Sequence, residues 1–207
     1  MKLALCILLG YLVGALNPAA LIAKVKKKSL REHGTGNLGA TNTLLVFGKK
    51  LGALVMLFDI GKGCLAVWIA RWIAPEVAWL PLAAGLCAII GHCFPFYLHF
   101  RGGKGLAAFG GVVLAYDPGL FLFLLISGFL LILIVNYSFI LPLYASLFFA
   151  VHVGIREDSI MMLLLAVGCA GLIIAMHFGN FIKAVRGKDP GVRAYLKQAL
   201  CAKRSKS

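Results

Sequence analysis

Residues 119–135 read Gly-Leu-Phe-Leu-Phe-Leu-Leu-Ile-Ser-Gly-Phe-Leu-Leu-Ile-Leu-Ile-Val, a stretch without a single charge. At about 1.5 Å per residue, a helix over such a run crosses most of the hydrocarbon core of a bilayer. With 61% hydrophobic residues and a mean hydropathy of +0.94, the sequence predicts an all-α integral membrane protein, a bundle of seven transmembrane helices with polar cytoplasmic-side loops. The predicted helices cover residues 3–23, 51–73, 78–99, 105–116, 119–135, 138–155 and 159–182.

Two of these runs are unusual. Residues 105–116 are too few for a full crossing, so we expect one short helix that begins within the membrane thickness. Residues 3–16 resemble a signal peptide, but the apolar run continues to Ala23 and is followed by lysines, which indicates a retained helix. We therefore expect one membrane domain over residues 1–182 and a basic cytoplasmic tail over residues 183–207.

The basic residues indicate the orientation. The formal net charge is +14, and most lysines and arginines fall in the first connection, in the third connection and in the tail. With seven spans these segments share one side, and the positive-inside rule makes that side cytoplasmic and places the N-terminus outside. Membrane retention thus explains the charge, and we expect no nucleic-acid partner. The sequence leaves the oligomeric state undefined.

The first polar motif is Arg31-Glu-His-Gly-Thr-Gly-Asn-Leu-Gly-Ala-Thr-Asn42. Glycines leave backbone N–H groups approachable, and a following helix start favours an anion. Thr35, Gly36, Asn37, Thr41 and Asn42 are the candidate substrate-binding residues of this motif. The alternative is a glycine-rich turn with a capping Thr or Asn.

The second motif is Gly91-His92-Cys93-Phe94-Pro95 followed by Phe100-Arg-Gly-Gly-Lys-Gly105. A lysine among glycines before an apolar helix favours phosphate binding, although the spacing is not that of a Walker loop. Simple contact with lipid headgroups remains an alternative for Arg101 and Lys104. His92 is a catalytic candidate or a structural histidine beside a proline. The candidate phosphate ligands are Arg101, Gly102, Gly103, Lys104 and Gly105.

The third motif contains His177 and Asn180, whose spacing of three lets both face one groove of a helix, with Lys183 one turn further. Asp59 and Lys62 have the same spacing inside the second predicted span. We interpret them as a mutually neutralised pair that joins helices, ahead of a substrate-side pair. The sequence contains no metal-ligand cluster, nucleophile elbow or dinucleotide fingerprint, so we expect no metal and no cofactor.

At these residues the sequence resembles the acyl-phosphate-dependent glycerol-3-phosphate acyltransferases of bacterial membranes, the PlsY family. The matching segments keep the family's order and spacing over nearly the whole chain. They are Asn17-Pro18, Arg31 to Asn42, Leu57-Phe-Asp-Ile-Gly-Lys-Gly63, Gly91 to Pro95, Phe100 to Gly105, and His177 with Asn180.

The resemblance implies a multi-pass enzyme of the bacterial inner membrane with a cytoplasmic active site. It would transfer a fatty acyl group from acyl phosphate to the 1-position of glycerol 3-phosphate, giving lysophosphatidic acid and phosphate for phospholipid synthesis. The implied partners are acyl phosphate, glycerol 3-phosphate and membrane lipids. Lys104, His92, His177 and Asn180 would be catalytic, with His92, His177 or the departing phosphate taking the proton.

The sequence departs from the family pattern in four places. Leu45 stands where the family usually has Arg, and Thr35 stands where it has Ser. Phe178 and Gly179 replace the charged pair of the last motif. In the loop before the sixth span, Asn136 to Pro142 replace Arg-Tyr-Val-Ser-Leu-Ala-Ser, with Phe139 and Pro142 at two hydroxyl positions. The alternative function is a divergent, non-catalytic paralogue that binds or carries a phosphorylated lipid or solute.

Overall fold

The computed structural model describes residues 1–189 and 191–194, and this part of the chain is helical. Most of the predicted basic tail, namely residue 190 and residues 195–207, lies outside the described residues. The helices are α1 (Lys2–Ala15), α2 (Pro18–Val25), α3 (Ala40–Phe47), α4 (Lys49–Ile73), α5 (Leu80–Cys93), α6 (Leu106–Tyr116), α7 (Pro118–Val135), α8 (Ile140–Arg156) and α9 (Ile160–Val185), with a single 3₁₀ turn over Phe96–Leu98.

Within the described residues, five segments are long and apolar enough to cross a membrane, as expected for an integral membrane protein built from helices. Two shorter apolar helices, Leu106–Tyr116 and Ile140–Arg156, correspond to the other two predicted runs. The ends of the seven predicted runs lie within a few residues of observed helix ends, apart from the C-terminal end of α5. The five long segments are Lys2–Val25, Lys49–Ile73, Leu80–Leu98, Pro118–Val135 and Ile160–Val185.

The first predicted span is broken into α1 and α2 at Leu16 and Asn17. Pro18 has no N–H to donate to the preceding turn, and the Asn17 side chain accepts a hydrogen bond from the Ala20 N–H at 2.8 Å to start α2. The break frees carbonyl groups inside the bundle. Tyr97 donates to the Ala15 carbonyl and Lys62 to the Leu16 carbonyl, both at 2.8 Å.

The helix α6 forms the centre of the bundle and contacts α4, α5, α7 and α9. Its side chains Phe109, Val112 and Val113 are fully buried. Small residues let neighbouring backbones approach, since a Cβ on Gly10 or Gly14 of α1 would overlap the backbone of α5. This close packing keeps the ends of the helices, where the polar motifs lie, in fixed positions.

The polar motifs meet at one end of the bundle. The Asn17 side chain donates to the Leu38 carbonyl, and the Arg31 guanidinium donates to the Arg101 carbonyl. The opposite end carries acidic residues, with Glu76 paired to Lys2 at 3.1 Å. The described residues therefore separate a basic, glycine-rich end from an end that holds Glu76, Asp117 and Glu157.

Candidate active site

The loop before α6 brings a lysine to an amide of α9. The Lys104 ammonium donates a hydrogen bond of 2.6 Å to Asn180 Oδ1, across 76 residues of sequence. Lys183 follows Asn180 by three residues on α9. Partial burial lowers the pKa of Lys104 below its usual value, and the nearby charge of Lys183 lowers it further. The structure thus joins Lys104 to Asn180 and places the charge of Lys183 nearby.

His177 lies one turn before Asn180 on the same helix. Its Nδ1 is 2.9 Å from the Ile173 carbonyl oxygen. A carbonyl only accepts hydrogen bonds, so Nδ1 carries the proton and Nε2 carries the lone pair. Among residues 1–189 and 191–194, Nε2 has no hydrogen-bond partner. The ring is therefore oriented by the backbone with its basic nitrogen available to a ligand.

The first turn of α6 begins directly after Lys104. Gly105 has φ +85°, a left-handed conformation that suits glycine, and its carbonyl accepts the first intrahelical bond from the Phe109 N–H. The three amides of Leu106, Ala107 and Ala108 consequently have no partner within the helix. Their N–H groups and the helix dipole favour an anion beside the Lys104 ammonium.

The amides of Gly102 and Gly103 do not face a ligand. They donate to the carbonyls of Cys93 at 2.9 Å and of His92 at 3.1 Å. This corrects the expectation that both N–H groups bind a phosphate, because both are used to dock the loop on the end of α5. The two glycines act through their missing side chains, since a Cβ on Gly103 would overlap the His92 ring.

His92, Asp59 and Lys62 form a buried network behind the loop that carries Lys104. Lys62 Nζ lies 2.8 Å from Asp59 Oδ1 and 2.7 Å from His92 Nδ1. Its third donor is used by the Leu16 carbonyl. One ammonium thus joins α1, α4 and α5. The network agrees with the helix-joining interpretation of the pair and uses Nδ1 of His92. A catalytic role for His92 stays a prediction.

Asn42 closes the glycine-rich loop. It is 1% exposed, its Oδ1 accepts from the Thr35 N–H at 2.7 Å, and its Nδ2 donates to the carbonyls of Leu30 and Asn37 at 2.8 and 2.9 Å. The His33 carbonyl lies 3.1 Å from the same nitrogen. Because these groups satisfy its amide, Asn42 is a structural residue, which corrects the expectation that it contacts the substrate.

The other predicted residues of this loop are closer to solvent. Thr35 and Thr41 are exposed, and Gly36 has φ +75°. Within the described residues, these side chains and Asn37 share no hydrogen bond with the Lys104 cluster. The link between the two regions is Arg31, the first residue of the glycine-rich motif and not one of the predicted site residues. Its guanidinium donates to the Arg101 carbonyl, three residues before Lys104.

We expect Asn42→Ala to destabilise the protein by about 1–3 kcal/mol, because it leaves buried loop groups without partners. The matched variant Thr41→Ala, one residue earlier on an exposed position, should change stability by less than about 0.5 kcal/mol. Thermal unfolding in detergent measures both. Equal melting temperatures for the two variants would contradict the structural role of Asn42.

A cavity of about 180 Å³ lies at the opposite, acidic end. Two hydrogen bonds join its polar residues: Arg71 donates to the Ala115 carbonyl at 2.8 Å, and Tyr116 donates to Glu157 Oε1 at 2.6 Å. Among the described residues that line it, none is a predicted phosphate ligand.

Comparison with known proteins places the chain in a family. The sequence model of the family described as glycerol-3-phosphate acyltransferase matches residues 4–187. The chain belongs to this family. The glycerol-3-phosphate acyltransferase of Geobacillus kaustophilus is 37% identical over 192 residues, covering 92% of this chain and 96% of the relative. That of Staphylococcus saprophyticus is 33% identical, covering 93% and 99%.

Solved structures of the family have the same fold. The crystal structure of PlsY (YgiH), an integral membrane glycerol 3-phosphate acyltransferase, in its glycerol 3-phosphate form matches with a TM-score of 0.85 and 30% identity. The match covers 91% of this chain and 94% of the chain in that crystal structure. The lysophosphatidic acid form matches with a TM-score of 0.83 at 29% identity. The family resemblance found in the sequence is thereby confirmed.

Proposed function

We propose that the protein transfers a fatty acyl group from acyl phosphate to the 1-hydroxyl of glycerol 3-phosphate, giving lysophosphatidic acid and phosphate. The contact of Lys104 with Asn180, beside the free Nε2 of His177, carries this proposal for the site. Membership of the glycerol-3-phosphate acyltransferase family supports the acyl acceptor and the reaction class. The solved relatives in glycerol 3-phosphate and lysophosphatidic acid forms are consistent with the acceptor and the product.

The chemistry requires little beyond positioning and charge. An acyl phosphate is a mixed anhydride with a good leaving group, so no covalent acyl-enzyme is needed. The acceptor hydroxyl oxygen attacks the acyl carbon, the bond from that carbon to the phosphate oxygen breaks, and phosphate leaves with the electron pair. The hydroxyl proton passes to His177 Nε2 or to the departing phosphate.

The roles of the residues follow from their positions. Lys104 and the first-turn amides of α6 would bind a phosphate group, and Gly105 allows that turn. Asn180 and Lys183 would orient the acceptor. The loop residues at the rim would hold the second phosphate or the acyl carbonyl; they are Thr35, Gly36, Asn37, Thr41 and Arg101.

We also propose the topology that the charge pattern predicts. Seven spans, with α6 and α8 as the two shorter ones, would put the N-terminus outside and the active site in the cytoplasm. The membrane domain would cover residues 1–182 and the basic tail residues 183–207, although α9 continues to Val185. This arrangement gives the site access both to a soluble phosphorylated acceptor and to an acyl donor in the bilayer.

The test is release of phosphate by the purified protein in lipid, supplied with palmitoyl phosphate. We expect release that depends on glycerol 3-phosphate and that is absent when palmitoyl-CoA replaces the acyl phosphate. Activity with palmitoyl-CoA alone would overturn the proposed donor. Absence of turnover, with glycerol 3-phosphate still bound, would instead favour the non-catalytic paralogue. The lost activity would then be attributed to the departures at Leu45, Pro142 and Gly179.

The pH dependence should report the environment of Lys104. A lysine binds phosphate only when protonated, and its pKa here is lowered, so acceptor affinity should fall with rising pH earlier than for an ordinary lysine. Lys183→Ala removes a neighbouring positive charge and should move this loss to higher pH. The measurement is KM for glycerol 3-phosphate across pH, with the exposed Lys26→Ala as control. If KM for glycerol 3-phosphate rises at the same pH in Lys183→Ala as in the wild type, the charge of Lys183 does not influence Lys104.

A further inference from the structure

An apolar groove of about 150 Å³ lies between α8 and α9, at the same end of the bundle as Lys104. Three phenylalanines dominate its wall: the Phe139 and Phe181 rings are 5.4 Å apart edge to face, and the Phe178 and Phe181 rings are stacked at 6.0 Å. Its single ionisable residue is His177. The lining residues are Phe139, Leu143, Ile174, His177, Phe178 and Phe181.

The loop that carries Phe139 is held by the end of the described chain. The Val192 and Arg193 amides donate to the Asn136 carbonyl and to Asn136 Oδ1, both at 2.8 Å. The Arg193 guanidinium donates to the Leu133 carbonyl at the end of α7, also at 2.8 Å. Asn136 has φ +68°, a left-handed conformation that Asn tolerates better than most residues. These contacts fix the wall of the groove before any ligand enters.

His177 connects this groove to the polar site. Its ring lines the groove, while its helix carries Asn180, which binds Lys104, one turn further on. A molecule that contacts both regions must have an anionic head for the two lysines and an apolar chain for the phenylalanines. A bilayer lipid with its headgroup at the interface would cover the phenylalanines from outside, but this would not explain why the groove is also lined by His177.

We propose that this groove binds the first part of the donor's acyl chain, and that Phe139, Phe178 and Phe181 determine the chain preference. The proposal rests on the proposed function, because it identifies the apolar molecule as the acyl phosphate. At about 30 Å³ for a group the size of a water molecule, the groove holds about five methylenes. Carbons beyond these would extend into the surrounding lipid.

Binding of alkylphosphonates tests the groove without requiring turnover. Methyl-, butyl-, hexyl- and octylphosphonate share one anionic head, and their Kd values can be measured by calorimetry on the purified protein. We expect Kd to fall by up to about fourfold per added methylene, the value for full burial, over the first five or so carbons and then to level off. Phe178→Ala and Phe139→Ala should reduce this chain-length dependence and leave the Kd of methylphosphonate unchanged.

The matched control is Phe129→Ala, because Phe129 is 59% exposed on α7 and does not line the groove. Phe178 is 54% exposed, so its replacement should not prevent folding. The same chain-length dependence in Phe178→Ala, Phe139→Ala and the wild type would overturn the proposal and leave the groove covered by lipid. If that dependence is lost in the variants while the wild type transfers no acyl group, the groove binds an alkyl chain beside an anionic head, but the proposed function and the identification of that chain as the donor's both fail.

Discussion

Replacing Lys104 with Ala is expected to lower kcat/KM for acyl transfer by about a hundredfold or more. The ammonium is partly removed from water and lies beside the unpaired amides of α6, where a charge acts more strongly on a phosphate than it would in solvent. A charge-assisted hydrogen bond to a bound anion contributes about 1.5–3 kcal/mol by itself. Phosphate release with saturating palmitoyl phosphate and varied glycerol 3-phosphate measures the loss.

Three further variants separate charge from packing. Lys104→Arg keeps the charge and should retain part of the activity. Asn180→Ala removes the hydrogen-bond partner of Lys104 but leaves both cations. Because charge is the main contribution to phosphate binding, its loss of kcat/KM should be smaller than that of Lys104→Ala. Lys26→Ala removes an exposed charge elsewhere and should have little effect. Unchanged rate and acceptor affinity in Lys104→Ala would show that Lys104 has no part in the site.

The helices were predictable because hydropathy directly encodes them. A run such as residues 119–135 has one stable arrangement in a bilayer, since every backbone group must be satisfied within the helix. The break at Asn17 and Pro18 and the separate helix α3 were not predicted. The break depends on tertiary partners: Lys62 and Tyr97 satisfy the freed carbonyls, which the sequence alone does not pair with them.

The polar site was predictable in its composition but not in its pairings. The positive-inside rule places Lys104 and Asn180 on one side, and the structure brings them into contact. Asn42 and Gly103 looked equally suited to bind substrate, because sequence shows which groups can form hydrogen bonds and not which are already used. Their partners are backbone carbonyls of the loop and of α5, and such partners leave no sequence signal.

The aromatic groove was not predicted, although two of its residues were noted. Phe139 and Phe178 appeared in the sequence as separate losses of polar groups, about forty residues apart. The structure brings both onto Phe181. Two polar-to-aromatic departures that meet at one groove are more simply explained as one change in the surface facing the donor than as two independent losses.

Removing either charge of the buried Asp59 and Lys62 pair is expected to destabilise the protein by about 3–5 kcal/mol, because the remaining charge is left without its partner. Asp59 and Lys62 are 2% and 3% exposed, so water cannot replace the lost partner. The double variant Asp59→Leu, Lys62→Met should recover much of the loss, since no unpaired charge remains. Unfolding in mixed detergent micelles compares Asp59→Leu, Lys62→Met and the double variant.

The double variant should still be less stable than the wild type. Lys62 also donates to the Leu16 carbonyl, where the Asn17-Pro18 break leaves no helical partner, and an unsatisfied buried carbonyl is unfavourable by about 1–3 kcal/mol. A double variant as unstable as Lys62→Met alone would mean that the carbonyl, rather than Asp59, is the important partner of the lysine. In that case the main role of the Lys62 ammonium is to satisfy the carbonyl at the break between α1 and α2, and Asp59 neutralises the charge of Lys62.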